Sequence, residues 1–261
     1  MCTLAIYFQT HPDFPVVVAA NRDEFYGRPA TPPQRLADDP WVIGGQDAVA
    51  GGTWLGVNAR GLVAGLLNRR ASTPPDPTRR SRGLLCLEAL RHDSVAAAAV
   101  EVGAQPAERY NPFNLLLASP TAACVIGNVS GAMHPLPLQP GLHLLTNLDL
   151  NDFECPRIAK SYGFFAAAQR LLTGATLSGL LVELRHILSD HSTPLDPRSQ
   201  GPPNNLCVHT ERFGTRSSTI LLYDARATCF RLWHAAGPPC ESAYAEVALP
   251  HANAAGQAKS N

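Results

Sequence analysis

A cysteine stands at position 2, directly after Met1. Methionine aminopeptidase removes the initiator when residue 2 is small, so the processed chain would begin with a thiol and a free α-amine on one residue. The amine titrates near about 7.7–8.0 and the thiol near about 8.5, so the amine can take the thiol proton around neutral pH. Nucleophile and base then come on a single residue, the amine standing where a triad would hold histidine. Taken alone, a cysteine here reads as the plain start of a strand, so the chemistry needs partners elsewhere.

Four further segments supply candidates. Asn21-Arg22-Asp23-Glu24 follows the apolar run Val16 to Ala20. If Thr3 to Phe8 and Val16 to Ala20 pair as a hairpin, this polar segment lies beside Cys2. Asp23 would then accept from the terminal ammonium, and Arg22 would hold an anion or lower the thiol pKa. Asn68 and Asn147 each close a strand-like run, and a side-chain amide there is a neutral donor suited to an oxyanion hole. Phe213 to Thr219 places Arg216 in a polar cluster denser than a turn requires.

Other chemistry is argued against by spacing. Seven cysteines are widely spread with no C-x-x-C pair, which speaks against a disulfide framework and a thiolate zinc cage. Cys207-Val208-His209 brings a thiol and an imidazole close, but on a strand they would share one side and compete for a single position, so the pair reads as structural. His186 and His191 are off the i, i+4 spacing of a zinc pair and read as surface or cap residues. Glycines 44, 45, 51 and 52 lack the Gly-Lys-Ser/Thr of a phosphate loop. Arg69, Arg70, Arg79, Arg80 and Arg82 surround a Pro-rich stretch and read as a solvated loop, with a weak site for an anionic ligand as the sharper alternative. No resident cofactor or metal is expected.

The elements that must position these residues follow from composition and pattern. The chain has 261 residues, 45% hydrophobic and 16% charged, with 21 basic and 21 acidic side chains. That is a globular composition with no general field for nucleic acid or an acidic membrane surface. No window approaches the about 20 apolar residues of a membrane span, and no secretory leader precedes the first strand, so a cytoplasmic location is expected. Strand-like runs at Thr3 to Phe8, Val16 to Ala20, Trp41 to Ile43, Thr53 to Val57 and Leu62 to Leu67 are divided by Gly-rich turns. A helix after Ser81 and an Ala-rich helix from Val95 to Val102 follow. Strands return at Phe113 to Ala118, Cys124 to Ile126 and Leu142 to Thr146. Helices over Pro156 to about Leu172 and Leu177 to Leu188 precede strands at Leu206 to His209, Ser217 to Tyr223 and Thr228 to Trp233. Blocks of strands and helices without alternation predict an α+β fold. Residues 1–248 read as one domain and 249–261 as a frayed tail.

Taken in order, Met1-Cys2, Asn21-Arg22-Asp23-Glu24, the run from Gly51 to Asn58, Ser81-Arg82-Gly83 and the run from Gly214 to Thr219 resemble the NRDE family, that of the transport and Golgi organisation two protein. The resemblance spans about Met1 to Trp233 and implies a four-layer αββα sandwich of the N-terminal-nucleophile hydrolase type. More distantly, the chain resembles the choloylglycine hydrolase and penicillin V acylase group. That likeness implies Cys2 as nucleophile, Asp23 as the carboxylate orienting the amine, Asn68 as a polar site residue, Asn147 as the oxyanion donor and Arg216 as the late arginine. The acylases carry their early arginine three residues before the aspartate, where this chain has Ala20, and Arg22 stands directly beside Asp23 instead. The expected activity is hydrolysis of a linear, N-acyl amide of a small-molecule substrate. The family likeness also carries a rival expectation, a non-catalytic protein that binds or moves haem, lipid or acyl-coenzyme A on the same fold.

Overall fold

The computed structural model describes residues 2–129, 131–172, 177–192 and 205–250. The predicted hairpin is its centre: β1 (Thr3–Phe8) and β2 (Val16–Phe25) pair antiparallel with Thr3 opposite Asn21. Around it, β10 (Gly141–Leu145), β11 (Phe213–Asp224), β12 (Cys229–Ala235) and β13 (Ala245–Val247) complete a six-stranded sheet, ordered β10-β1-β2-β11-β12-β13. A second, seven-stranded sheet runs in chain order through β3 (Ala30–Asp38), β4 (Trp41–Asp47), β5 (Thr53–Asn58), β6 (Val63–Asn68), β7 (Phe113–Ala118), β8 (Ala123–Gly127) and β9 (Pro135–Pro137). Every ladder in both sheets is antiparallel.

Side-chain alternation sorts the strands into layers. Leu4, Ile6, Phe8, Val16 and Val18 meet Leu55, Val57, Val63 and Leu116 between the sheets. Their neighbours Ala5, Tyr7, Val17 and Ala19 face outward onto α3 (Pro156–Leu172) and α4 (Leu177–Leu188). On the other flank Ala64, Leu66, Leu115 and Leu117 pack under α1 (Arg82–Ala89) and α2 (Val95–Gly103). Three apolar interfaces therefore hold four layers, αββα, as expected. Both faces of each central strand are buried, which is why these strands read as continuous apolar runs.

The departures have physical causes. β3 holds Pro32 and Pro33 and β9 is bounded by Pro135 and Pro137, so neither reads as a strand; both are edges of their sheet, where a missing N–H is tolerated. The polar segment from Asn21 lies inside β2, because β11 pairs with β2 as far as Phe213 opposite Phe25. Residues 206–209 form no strand; only an isolated bridge joins His209 to Gly214. Ser94 caps α2 by accepting from the Ala97 amide at 3.1 Å, whereas Ser81 precedes α1 without a side-chain cap bond. Residues 251–261 of the expected tail, and Met1, lie outside the described residues, while Leu249 packs against the inter-sheet core. Among the described residues no helix is long and apolar enough to cross a membrane.

Candidate active site

Cys2 stands one step before β1, and the two ladders that flank β1 fix its neighbours. Continuing the register from Thr3 opposite Asn21 sets Cys2 across from Arg22. Continuing it from Leu4 opposite Leu145 sets Cys2 across from Asn147 on the other side. The same alternation that sends Leu4 and Ile6 between the sheets sends the Cys2 side chain there too, and it is half-buried against that core. Its Sγ donates to the main-chain oxygen of Asp23 at 3.6 Å.

Asp23 projects to the opposite, helix-covered side of the sheet. Its Oδ1 accepts from Thr215 Oγ1 at 2.7 Å, and Oδ2 lies 3.5 Å from Arg157 Nη1 on α3. The same Nη1 donates to Thr3 Oγ1 at 3.0 Å, and Ser161 Oγ donates to the Arg157 carbonyl at 2.7 Å. The carboxylate is thus held in place by a buried cation and a hydroxyl. Asn21, two residues earlier on the same face, donates to the carbonyls of Leu188 and Leu206 at 2.8 and 2.9 Å, which ties β2 to the end of α4.

Cys2 and Arg22 line one cavity with Trp54, Leu66, Leu67, Ser217 and Thr219. Its volume of about 20 Å³ holds one water and no acyl chain. The Arg22 guanidinium stacks on the Trp54 ring at 4.3 Å and sits 3.9 Å from Glu24. Beyond this stack a second cavity of about 80 Å³ is lined by Arg22, Trp54, Arg216, Ser217 and His234. Arg216 is the extra residue of a bulge, since Thr215 pairs with Asp23 and Ser217 with Arg22. Its guanidinium lies 5.7 Å from the Tyr26 ring. Arg216 therefore flanks the neighbouring cavity, not the thiol's own.

Burial raises the Cys2 thiol above its usual pKa, and the Asp23 carboxylate raises it further. Arg22 acts in the expected, lowering direction but more weakly than either. Burial also lowers the Arg22 guanidinium, against the pull of Glu24. These effects keep the thiol protonated at neutral pH.

Asn147 keeps its amide oxygen buried without a hydrogen bond among the described residues, while its carbonyl accepts from the Arg70 amide at 2.8 Å. Thr146 and Ser217 hold similarly unbonded hydroxyls nearby in sequence and in the cavity wall. Asn68 ends β6 opposite Phe113, is exposed, and does not line the thiol's cavity. Sequence reading missed Trp54, Thr215 and Arg157. The first two lay inside motifs already singled out. Arg157 stands in the first turn of α3 with no local signal, and only the packing of α3 on β2 brings it to Asp23.

The arginine-rich stretch is largely exposed, as expected, but the side chains of Arg69, Arg79, Arg80 and Arg82 are tied down. Arg69 donates to Asp149 at 2.5 Å, Arg79 to the Tyr110 carbonyl at 2.9 Å and Arg82 to the Pro112 carbonyl at 2.8 Å. Arg80 pairs with Glu88. Carboxylates thus neutralise Arg69 and Arg80, which weakens the case for an anion site in the loop.

Two antiparallel sheets between helix layers make an αββα sandwich of the kind seen in N-terminal-nucleophile hydrolases. Solved structures agree in fold. The chain is similar to a Caenorhabditis elegans N-acylethanolamine-hydrolyzing acid amidase ortholog, with TM-score 0.55 and 14% identity, covering 95% of this chain and 100% of that one. It is similar to penicillin V acylase from Agrobacterium tumefaciens, with TM-score 0.52 and 14% identity over 90% of this chain and 83% of that one. The family described as Transport and Golgi organisation 2 matches residues 1–231. The chain is also 31% identical over 261 residues to a Bos taurus transport and Golgi organization protein 2 homolog, covering 86% of this chain and 89% of that protein. The chain belongs to the transport and Golgi organisation 2 family.

Proposed function

We propose that the chain, once Met1 is removed, hydrolyses a linear N-acyl amide with Cys2 as nucleophile. The observation that supports this reading is the register that sets Cys2 between Arg22 and Asn147, with the neighbouring Asp23 carboxylate anchored by Arg157 and Thr215. The free amine of Cys2 takes the thiol proton as sulfur bonds to the carbonyl carbon. Negative charge on the carbonyl oxygen meets the Asn147 amide, a donor worth about 3–4 kcal/mol in such a role. The ammonium returns its proton to the leaving nitrogen as the C–N bond breaks, leaving a thioester. Water then attacks the thioester, the carboxylic acid departs and the thiol is restored. Asp23 holds the amine in place throughout.

The test is the intact mass of purified protein followed by turnover of an N-acyl amide panel that includes N-acylethanolamines and penicillin V. Loss of Met1, with turnover that disappears in Cys2→Ala, supports the reading. Retained Met1, or equal turnover in Cys2→Ala, overturns it.

A second reading, carriage of a ligand without hydrolysis, has its own observation. At the far end of β11 a cavity of about 460 Å³ is lined by Trp41, Tyr223, Phe230, Val247 and Leu249, a size in the range of small-molecule sites. Haem and acyl-coenzyme A binding, unchanged in Cys2→Ala and lost on Phe230→Arg, would favour it.

A further inference from the structure

Four metal-ligating side chains from three distant chain segments meet at the end of α4, away from the cavity of Cys2. Cys207 Sγ lies 3.6 Å from Cys240 Sγ and 3.5 Å from His209 Nε2, and His209 Nε2 lies 3.3 Å from Cys240 Sγ. His191 completes the group, with one ligand atom from each of the four lying within 4.8 Å of all the others. We propose that Cys207, His209, Cys240 and His191 bind one zinc ion as a tetrahedral Cys₂His₂ site.

Geometry discriminates this from a chance cluster. Zinc bonds of about 2.3 Å to sulfur and about 2.0–2.1 Å to nitrogen, at tetrahedral angles, separate S from S by about 3.8 Å and S from N by about 3.6 Å. The three distances among Cys207, Cys240 and His209 match those edges within a few tenths of an ångström. His191 is exposed and needs about 1 Å of side-chain adjustment to close the fourth vertex. All seven cysteines are free thiols, and two thiolates on binding neutralise the dication, each releasing its proton to solvent.

The surroundings hold the ligands in place. The Cys207 amide donates to the Asp190 carbonyl at 3.0 Å, and Val208 exchanges bonds with Thr215 through main chain and hydroxyl. Arg185 on α4 donates to the Pro239 carbonyl beside Cys240 at 3.3 Å. His209 turns its other nitrogen, Nδ1, toward Glu241 Oε1 at 4.0 Å, beyond hydrogen-bond length, and a small closure of this exposed carboxylate would give the carboxylate–histidine arrangement that orients an imidazole for Nε2 ligation. Two residues apart, Cys207 and His209 do face one side; Cys240 and His191 turn that shared side from a competition into a site. The ion would pin the end of α4, the segment before β11 and the turn after β12. Through Val208 it would also steady Thr215, which holds Asp23.

The experiment uses tag-free protein kept reduced. Metal analysis and zinc titration against a competing chelator are expected to give one zinc per chain, and cobalt in its place should show tetrahedral visible bands with a thiolate charge-transfer band. Cys240→Ser should lose stoichiometric zinc, Cys229→Ser should keep it, and Glu241→Gln should weaken it by about tenfold. If Cys240→Ser does not fold, the cobalt spectrum of the parent decides alone. Reduced parent that takes up no stoichiometric metal, or cobalt without thiolate charge transfer, overturns the proposal. So does a Cys207–Cys240 disulfide in freshly purified protein.

Discussion

Arg157 and Asp23 face each other at 3.5 Å with both side chains wholly buried, one from α3 and one from β2. Removing either charge strands the other in a low-dielectric setting, so Asp23→Asn and Arg157→Met should each destabilise by about 3–5 kcal/mol. The double variant should lose much less than the sum, because it buries no lone charge. Urea unfolding of all four proteins measures the coupling, and additive losses would refute it.

Asn147 is predicted to act only on the reaction. In an active preparation, Asn147→Ala should lower kcat by about 10²–10³-fold with KM changed little, since the oxyanion exists only in the transition state. Its unfolding midpoint should stay near that of the parent. Steady-state kinetics separates the two parameters, and a rise in KM alone would assign Asn147 to substrate binding.

Trp54 and Arg22, stacked on each other, line the small cavity that Cys2 shares. Trp54→Ala should therefore speed alkylation of Cys2 by iodoacetamide severalfold, read by mass after a timed pulse. Because burial and Asp23 raise the thiol pKa, the rate in either protein should keep climbing as pH rises past 9. A rate that levels off below pH 8 would show a preformed thiolate.

His234 is buried against Thr219, with Oγ1 at 3.0 Å from Nδ1, and burial lowers its pKa from 6.5 to about 4. The unfolded chain then binds a proton that the folded one refuses between these values. Its share of stability is full above pH 6.5 and declines as pH falls toward 4. Between pH 7 and 5 the loss is about 2 kcal/mol from this group. His234→Gln should remove that part of the pH dependence in urea unfolding curves taken at the two pH values.

Gly52 is required by close approach rather than by a turn. A Cβ there would lie 2.1 Å from the Gly83 carbonyl carbon and 2.4 Å from the Leu84 nitrogen, both backbone at the start of α1. Gly52→Ala should cost about 1–3 kcal/mol by pushing that helix, and with it Arg82, off the sheet. Gly27→Ala meets nothing within 4 Å and should stay within about 0.5 kcal/mol. Thermal melts of the two variants compare them directly.

Much of this architecture was legible in the linear chain because its signals are local. β1, β7 and α4 have the bounds their apolar periodicity indicates, since each depends on its own residues facing a core. Cys2, Asp23 and Asn147 could be picked out by type and by standing beside apolar runs, although Asp23 lies inside β2 and not past its end. The likeness of five short motifs to one family then implied a layered sandwich, which two sheets between helix pairs bear out.

What the chain could not disclose was whatever depends on contacts between remote segments. Proline hid β3 and β9, because the cost of a missing N–H vanishes at an edge and edges are a property of the assembled sheet. Arg157 reaches Asp23, and Cys240 reaches Cys207, across separations that no spacing rule spans. Side-chain type and short-range periodicity are written in one dimension, whereas the partner that satisfies a buried charge or completes a ligand shell is chosen by packing.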